Sequence, residues 1–285
     1  CFSHPMAASG FTLGSKDESV RKFWVEHVAC CRRIAADIGR ELGKTSIMNI
    51  WVPDGMKDIP ADRMGYRMQL KKSLDEIFAV KYDRRYLIDA FESKLFGIGV
   101  ESYTTGSHEF VMGYALKNNI TMTYDMGHFH LTESIADKIS SALLFSNDLL
   151  LHVSRPVRWD SDHVTILNDD LVAVAQEVKR CNAFDRVYCA LDFFDGSINR
   201  ITAWVSGTRA VLKSILFALL EPTGLIVDAE NNANYGNRLA LMEEFKTLPF
   251  GAVWDKYCMD MGTPSGANWL EDIRKYEESV LMKRR

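Results

Sequence analysis

The 285-residue sequence has no long apolar run, no surplus of positive charge and few cysteines, and each shortage removes a class of protein. Its longest wholly apolar stretches, such as Ile215 to Leu220, last barely two helical turns, against the ~20 residues of a membrane span. A membrane partner is therefore not expected. Lys and Arg number 34 against 38 Asp and Glu, a net −4, and the one basic block is the terminal Lys283-Arg284-Arg285. A nucleic-acid partner is not expected either. Six cysteines (Cys1, Cys30, Cys31, Cys181, Cys189 and Cys258) form no C-x-x-C pair and are too sparse for a disulfide framework, which implies reduced thiols and a cytoplasmic location. There is no P-loop, and Gly97-Ile98-Gly99 lacks the third glycine and helix entry of a dinucleotide fingerprint. Cys1-Phe2-Ser3-His4-Pro5 shows neither an initiator Met nor a signal sequence and reads as a strand end, so a fragment is expected.

What remains is an ordinary globular composition, 47% hydrophobic and 25% charged, with an α/β pattern. A capping box, Ser15-Lys16-Asp17-Glu18, predicts a helix with Trp24, Val28, Cys31, Ala35, Ile38 and Leu42 on one face, stopped by Gly43. Ser46 to Val52 reads as a strand, and Arg63 to Val80 as a helix. Further strands are predicted at Leu87 to Phe96, Ile120 to Asp125, Leu149 to Ser154 and Val187 to Asp192, with helical patterns between them. Alternation every ~30 residues indicates parallel βαβ units, compatible with a barrel or a doubly wound sheet. After Phe194 only helices are predicted: Asn199 to Leu220, Asn234 to Thr247, Phe250 to Cys258 and Asn268 to Met282. The expected domains are residues 1–220, a (β/α) catalytic unit, and 221–285, a helical extension packing on it or on a neighbouring subunit.

The chemistry-bearing residues lie at the strand ends. Glu92 and Lys94, two apart, share a face of their strand, where a buried salt bridge is the plain alternative to a site. Asp125-Met126-Gly127-His128 follows the next strand, and Gly127 permits a tight turn; a polar turn beside a surface histidine would look the same. His152 interrupts the apolar Leu149-Leu150-Leu151-His152-Val153, as a hydrogen-bonded core histidine also would. Asp160 and Asp162 sit in Trp159-Asp160-Ser161-Asp162-His163, which can also be a solvated acidic loop. Asp192 ends the last strand among aromatic residues.

Each signal is weak alone, but independent accidents do not produce their common register. In parallel α/β folds the C-terminal strand ends converge on the functional site. Five acids and two histidines there would repel one another unless divalent cations were bound, and two ions suit the ligand count better than one. Oxygen ligands with imidazole fit Mn²⁺, Mg²⁺ or Co²⁺, with Zn²⁺ also possible.

These residues stand in strings that resemble the L-rhamnose isomerase family: Phe2-Ser3-His4-Pro5, Met48-Asn49-Ile50-Trp51, Glu92-Ser93-Lys94-Leu95-Phe96-Gly97, Gly127-His128-Phe129-His130, Leu149 through Asp162-His163, and Leu191-Asp192-Phe193-Phe194-Asp195. The resemblance implies a (β/α)₈ TIM barrel, here incomplete with about strands 4–8, and a cytoplasmic homotetramer. It implies that Glu92, Asp125, His152 and Asp192 hold a substrate-ordering ion and that His128, Asp160 and Asp162 hold a catalytic one, with Asp125 near both. Mn²⁺ is the ion the family favours. Lys94 would act at the sugar's O1, Trp51 would wall the sugar face, and Glu92, His128, Asp192 and Phe194 would contact substrate. The implied reaction interconverts L-rhamnose and L-rhamnulose by a metal-assisted 1,2-hydride shift, with an enediol route as alternative. Two rivals stay open: a truncated metal-binding chain without turnover, and a metal-dependent hydrolase or nuclease on the same plan, against which the missing basic face weighs.

Overall fold

The computed structural model describes residues 3–97 and 101–284. Five parallel strands carry the fold: β1 (Ser46–Trp51), β2 (Leu87–Glu92), β3 (Thr121–Asp125), β4 (Leu149–Val153) and β5 (Val187–Leu191). They pair in chain order, β1-β2-β3-β4-β5, as a curled half-barrel. Parallel neighbours need a crossover, and the helices α1 (Glu18–Leu42), α2 (Arg63–Ala79), α3 (His108–Asn118), α4 (Ile135–Leu143) and α5 (Asp169–Arg180) precede or separate the strands. The core lies between strands and helices, with Phe91, Leu70, Leu74, Ile77, Met122, Ile139, Leu149 and Leu151 almost wholly buried.

The last third is helical, as its pattern predicts: α6 (Arg200–Leu220), α7 (Thr223–Asn231), α8 (Tyr235–Phe245), α9 (Phe250–Asp260) and α10 (Trp269–Ser279). Helix α7 is an addition to the sequence reading. Contrary to the short-run argument from Ile215 to Leu220, α6 is long and apolar enough by length and composition to cross a membrane. In this chain it packs on α5, α9 and α10, and its buried residues are mostly small, Ala203, Gly207, Ala210, Ser214 and Ala218. A Cβ at Gly207 would lie 2.5 Å from the Phe193 ring, so glycine is what lets α6 approach the end of β5.

Several boundaries move for physical reasons. Asp17, not Ser15, caps α1, its carboxylate accepting from the amides of Ser19 and Val20. The face of α1 that is buried runs through Arg21, Trp24, Arg32, Ala36 and Gly39, while Ile38 and Leu42 are exposed. Arg32 is the cause: its guanidinium forks onto Asp89 of β2 at 2.7 and 2.8 Å and also donates to the carbonyls of Ile77 and Val80. Strand β2 stops at Glu92 rather than Phe96, because the Lys94 amide leaves the ladder to bond Gly106 O. Of the strand end expected at Phe2 to His4, Phe2 lies outside the described residues, and Ser3 and His4 lead into a 3₁₀ turn. Ile98 and Gly99 of the discounted glycine motif also lie outside them.

Residues 10–15 are pinned across the end of β1 by Asp54. Its fully buried carboxylate accepts from Thr12 N (2.7 Å), Thr12 Oγ1 (2.5 Å) and Gly14 N (2.6 Å). Burial still outweighs these donors and pushes the carboxyl up to about 6.

Candidate metal centre

Period-two alternation turns Asp89 and Phe91 of β2 toward the helices and Ala90 and Glu92 toward the concave side. At the same level the neighbouring strands deliver Asp125 and His152, which pair in register, and the chain leaving β5 delivers Asp192. One ligand atom from each of Glu92, Asp125, His152 and Asp192 lies within 4.8 Å of the others. A second group, Asp125, His128 and Asp160, meets the same limit and shares Asp125. His152 Nδ1 stands 2.9 Å from Asp192 Oδ2, 3.2 Å from Glu92 Oε1 and 3.8 Å from Asp125 Oδ2. His128 Nε2 stands 3.2 Å from Asp160 Oδ2, and its Nδ1 3.6 Å from Glu92 Oε1.

Local backbone makes these approaches possible. The tight turn after β3 lets Gly127 N donate to Asp125 Oδ1 at 2.6 Å. A Cβ on Gly127 would fall 2.1 Å from Asp160 Oδ1 and 3.2 Å from Asp125 Oδ1, so a side chain there would push the two carboxylates aside. Asp160 and Asp162 come from a loop closed by Arg155 N donating to His163 O, and Asp162 sits at φ 46°, an unusual left-handed conformation for a non-glycine residue.

The electrostatics follow from confining acids. Burial pushes Asp125 up to about 7. It works to lower the imidazoles, but the carboxylates around them win: Asp160, Asp125 and Glu92 raise His128 to about 9, and Asp192 and Glu92 raise His152 to about 10. Asp192 is held below the usual carboxylate range, chiefly by His152. Burial and then the charges of Asp160 and Asp192 push Asp162 up to about 6. Without ions the cluster therefore retains protons that divalent cations would displace.

The donor set fits such ions on a structural test. His128 Nδ1, His152 Nδ1 and Asp160 Oδ1 are buried without a hydrogen-bond partner of good geometry. Buried polar atoms are normally satisfied, and three orphans aimed into one acid cluster suit metal ligation. Gly127, His128 and Asp160 also wall a cavity of about 750 Å³, lined further by Phe96, Phe129 and Trp159.

The remaining candidates are placed differently. Asp162 belongs to neither ligand group. Lys94 is not paired with Glu92: its buried ammonium meets Glu101, donates to Pro53 O at 2.6 Å and lies 5.7 Å from the centre of the Trp51 ring. Phe194 is 81% exposed, and its amide donates to Asp162 O. Sequence reasoning missed Asn49, whose amide donates to Glu92 Oε2 at 2.6 Å, and Thr123, whose hydroxyl donates to Asn49 Oδ1 at 2.7 Å. A polar residue two places before Trp51, on the same face of β1, was the available signal.

Comparison with known proteins decides the family. The family model described as L-rhamnose isomerase (RhaA) matches residues 1–284. The chain belongs to the L-rhamnose isomerase family. It is 56% identical over 284 residues to the L-rhamnose isomerase of Citrobacter koseri and 55% identical to that of Salmonella paratyphi B, spanning 100% of this chain and 68% of each relative. Membership in the L-rhamnose isomerase family makes the chain one of a group of isomerases, enzymes of intramolecular oxidation and reduction, and the strand-end acids a possible metal cluster within it. A solved structure titled as a D-tagatose 3-epimerase-like protein aligns with a TM-score of 0.52 at 16% identity, over 73% of this chain and 74% of that one, a likeness of fold alone.

Proposed function

We propose that the chain interconverts L-rhamnose and L-rhamnulose at the strand-end cluster. The observation that carries this reading is the pair of ligand groups sharing Asp125, within a chain 56% identical to a named L-rhamnose isomerase. Two divalent cations, Mn²⁺ foremost, would be held by Glu92, Asp125, His152 and Asp192 and by Asp125, His128 and Asp160, with Asp162 beside the second. Bound there, they supply Lewis-acid stabilisation to the O1 and O2 oxygens, which gain negative charge as the sugar reacts.

The chain's own residues divide the remaining work. In the aldose-to-ketose direction the C2 hydrogen moves to C1 with its electron pair, O2 loses a proton and O1 gains one. Asp160 Oδ1 is buried without a hydrogen-bond partner of good geometry, and with Asp162 beside it forms the acceptor for the O2 proton. Lys94 gives one of its three donors to Pro53 O and is ion-paired with Glu101, and a remaining N–H is the donor for O1. Trp51, beneath that ammonium, gives an apolar wall to the C–H face of the sugar. Glu92, His128 and Asp192, themselves members of the ligand groups, would also face sugar hydroxyls; Phe194 would have to fold inward to do so.

The five strands take the places of strands 4–8 in an eight-stranded barrel, residues 221–285 form an accessory helical unit, and the working form is a cytoplasmic homotetramer. Light scattering on the purified chain tests the last point.

The test of function is Mn²⁺-dependent conversion of L-rhamnose. Asp160→Asn should lower turnover by about 10²- to 10³-fold with the fold intact, and full activity in that variant would refute the assignment. Full washout of C2 deuterium into solvent would replace the hydride shift by an enediol route. A second reading, metal binding without turnover, is favoured by one observation: among the described residues β1 and β5 each pair on one side only, leaving open sheet edges. Mn²⁺ binding with no sugar conversion would establish it.

A further inference from the structure

We infer that Asn49 is a positioning residue that selects which oxygen of Glu92 faces the ions, and that Thr123 in turn fixes the orientation of Asn49. The inference deepens the function proposed above and rests on Glu92 being a metal ligand. Three strands build the relay. Thr123 Oγ1 on β3 donates to Asn49 Oδ1 on β1 at 2.7 Å, and Asn49 Nδ2 donates to Glu92 Oε2 on β2 at 2.6 Å.

The two outer strands flank β2, so Asn49 and Thr123 must meet across it. They meet on the diagonal: Asn49 stands opposite Ala90, which shares the concave face with Glu92 and offers only a methyl group, and Thr123 stands opposite Glu92 itself. A larger side chain at Ala90 would crowd the Asn49 amide on that face.

The polarity of the relay is determined by its ends. A carboxylate only accepts, so Asn49 must present its NH₂ to Glu92, which leaves its carbonyl oxygen for the Thr123 hydroxyl. Without Thr123 the amide could rotate and oppose oxygen to oxygen. With it, Oε2 is engaged from below, and Oε1 is the oxygen that stands 3.2 Å from His152 Nδ1 and 3.6 Å from His128 Nδ1. Glu92 is thereby offered to the ions through one defined atom rather than as a freely rotating group. Partners that orient ligands in this way commonly alter metal affinity by about 10- to 100-fold.

The test is Mn²⁺ binding, read from the free-ion electron paramagnetic resonance signal during titration, alongside thermal unfolding of the metal-free chain. Asn49→Ala should weaken the binding step that Glu92→Gln also weakens, by about 10- to 100-fold, and leave the other step within about twofold. Thr123→Val, which keeps shape and removes the donor, should weaken the same step by about two- to tenfold. Should Asn49→Ala fail to fold, Thr123→Val decides alone. Unchanged affinity in a folded Asn49→Ala, or equal losses at both steps, would overturn the relay while leaving the isomerase reading standing. A wild-type chain that binds no Mn²⁺ would remove both.

Discussion

Asp89, half-buried, and Glu92, buried, lie three residues apart on one strand, and they separate two kinds of charge drawn out of water. Asp89, facing the helices, meets one partner with good geometry, the forked guanidinium of Arg32, whose remaining donors go to backbone carbonyls. Glu92, facing the concave side, meets Asp125, Asp192 and two imidazoles, with no Lys or Arg bonded to it among the described residues. The outer charge is balanced within the chain and the inner charge is not. Balance of that kind serves the fold; the imbalance requires a partner from outside, and the cluster's retained protons mark where that partner goes.

The contrast breaks most visibly at Arg32. Arg32→Ala leaves the half-buried Asp89 without its forked partner and takes a donor from each of the carbonyls of Ile77 and Val80, and should cost roughly 1–3 kcal/mol in urea unfolding, while Mn²⁺ affinity per folded chain stays unchanged. Glu92→Gln should do the opposite. Removing one of several crowded acids spares or raises the stability of the metal-free chain, yet weakens ion binding by about a hundredfold or more, measured by calorimetric titration. If both variants lost stability alike, the two faces would not differ in kind.

Smaller changes sharpen the comparison. Gly127→Ala sets a methyl group against Asp160 and Asp125 and should lower Mn²⁺ affinity about tenfold. An unaltered affinity would mean that the turn yields without moving the ligands. The pH response should be smaller still. His128 and His152 are raised to about 9 and about 10, above the ordinary 6.5, so their contribution to folding is whole below pH 6.5 and is lost as pH rises through 9 to 10. Asp125, raised from 3.8 to about 7, loses its contribution with the same sign between those values. Ion binding runs the other way, because the ligands must shed protons. The gap in Tm between Mn²⁺-loaded and metal-free chain should widen by several degrees from pH 6 to pH 9, and a gap that narrows would contradict the ligand set.

Much of this was legible in residue patterns. Apolar runs that end in an acid or, in β4, carry a histidine mark β2 to β5, and the register of Glu92, Asp125, His152 and Asp192 on successive strand ends is visible in the sequence. What escaped reading depended on contacts between distant segments. The buried face of α1 could not be seen because Arg21 and Arg32 look like surface residues until Glu18, Glu76, Ser73 and Asp89 surround them. Lys94 looked like the partner of Glu92 because period two was extended past the end of β2; its true partner, Glu101, arrives through a loop. Helix α7 was hidden by its closeness to α6, from which only Glu221-Pro222 divides it. Asn49 carries no motif at all, and its meaning depends on Ala90 being small and on Thr123 lying across from Glu92.

The central claim is that the strand-end acids form two ion sites that share Asp125. Counting Mn²⁺ bound per chain by equilibrium dialysis tests it most directly. The account predicts two ions on the wild-type chain and one on Asp160→Asn, with the Glu92 group still filled. Binding of no ion, or a count that Asp160→Asn leaves unchanged, would contradict it.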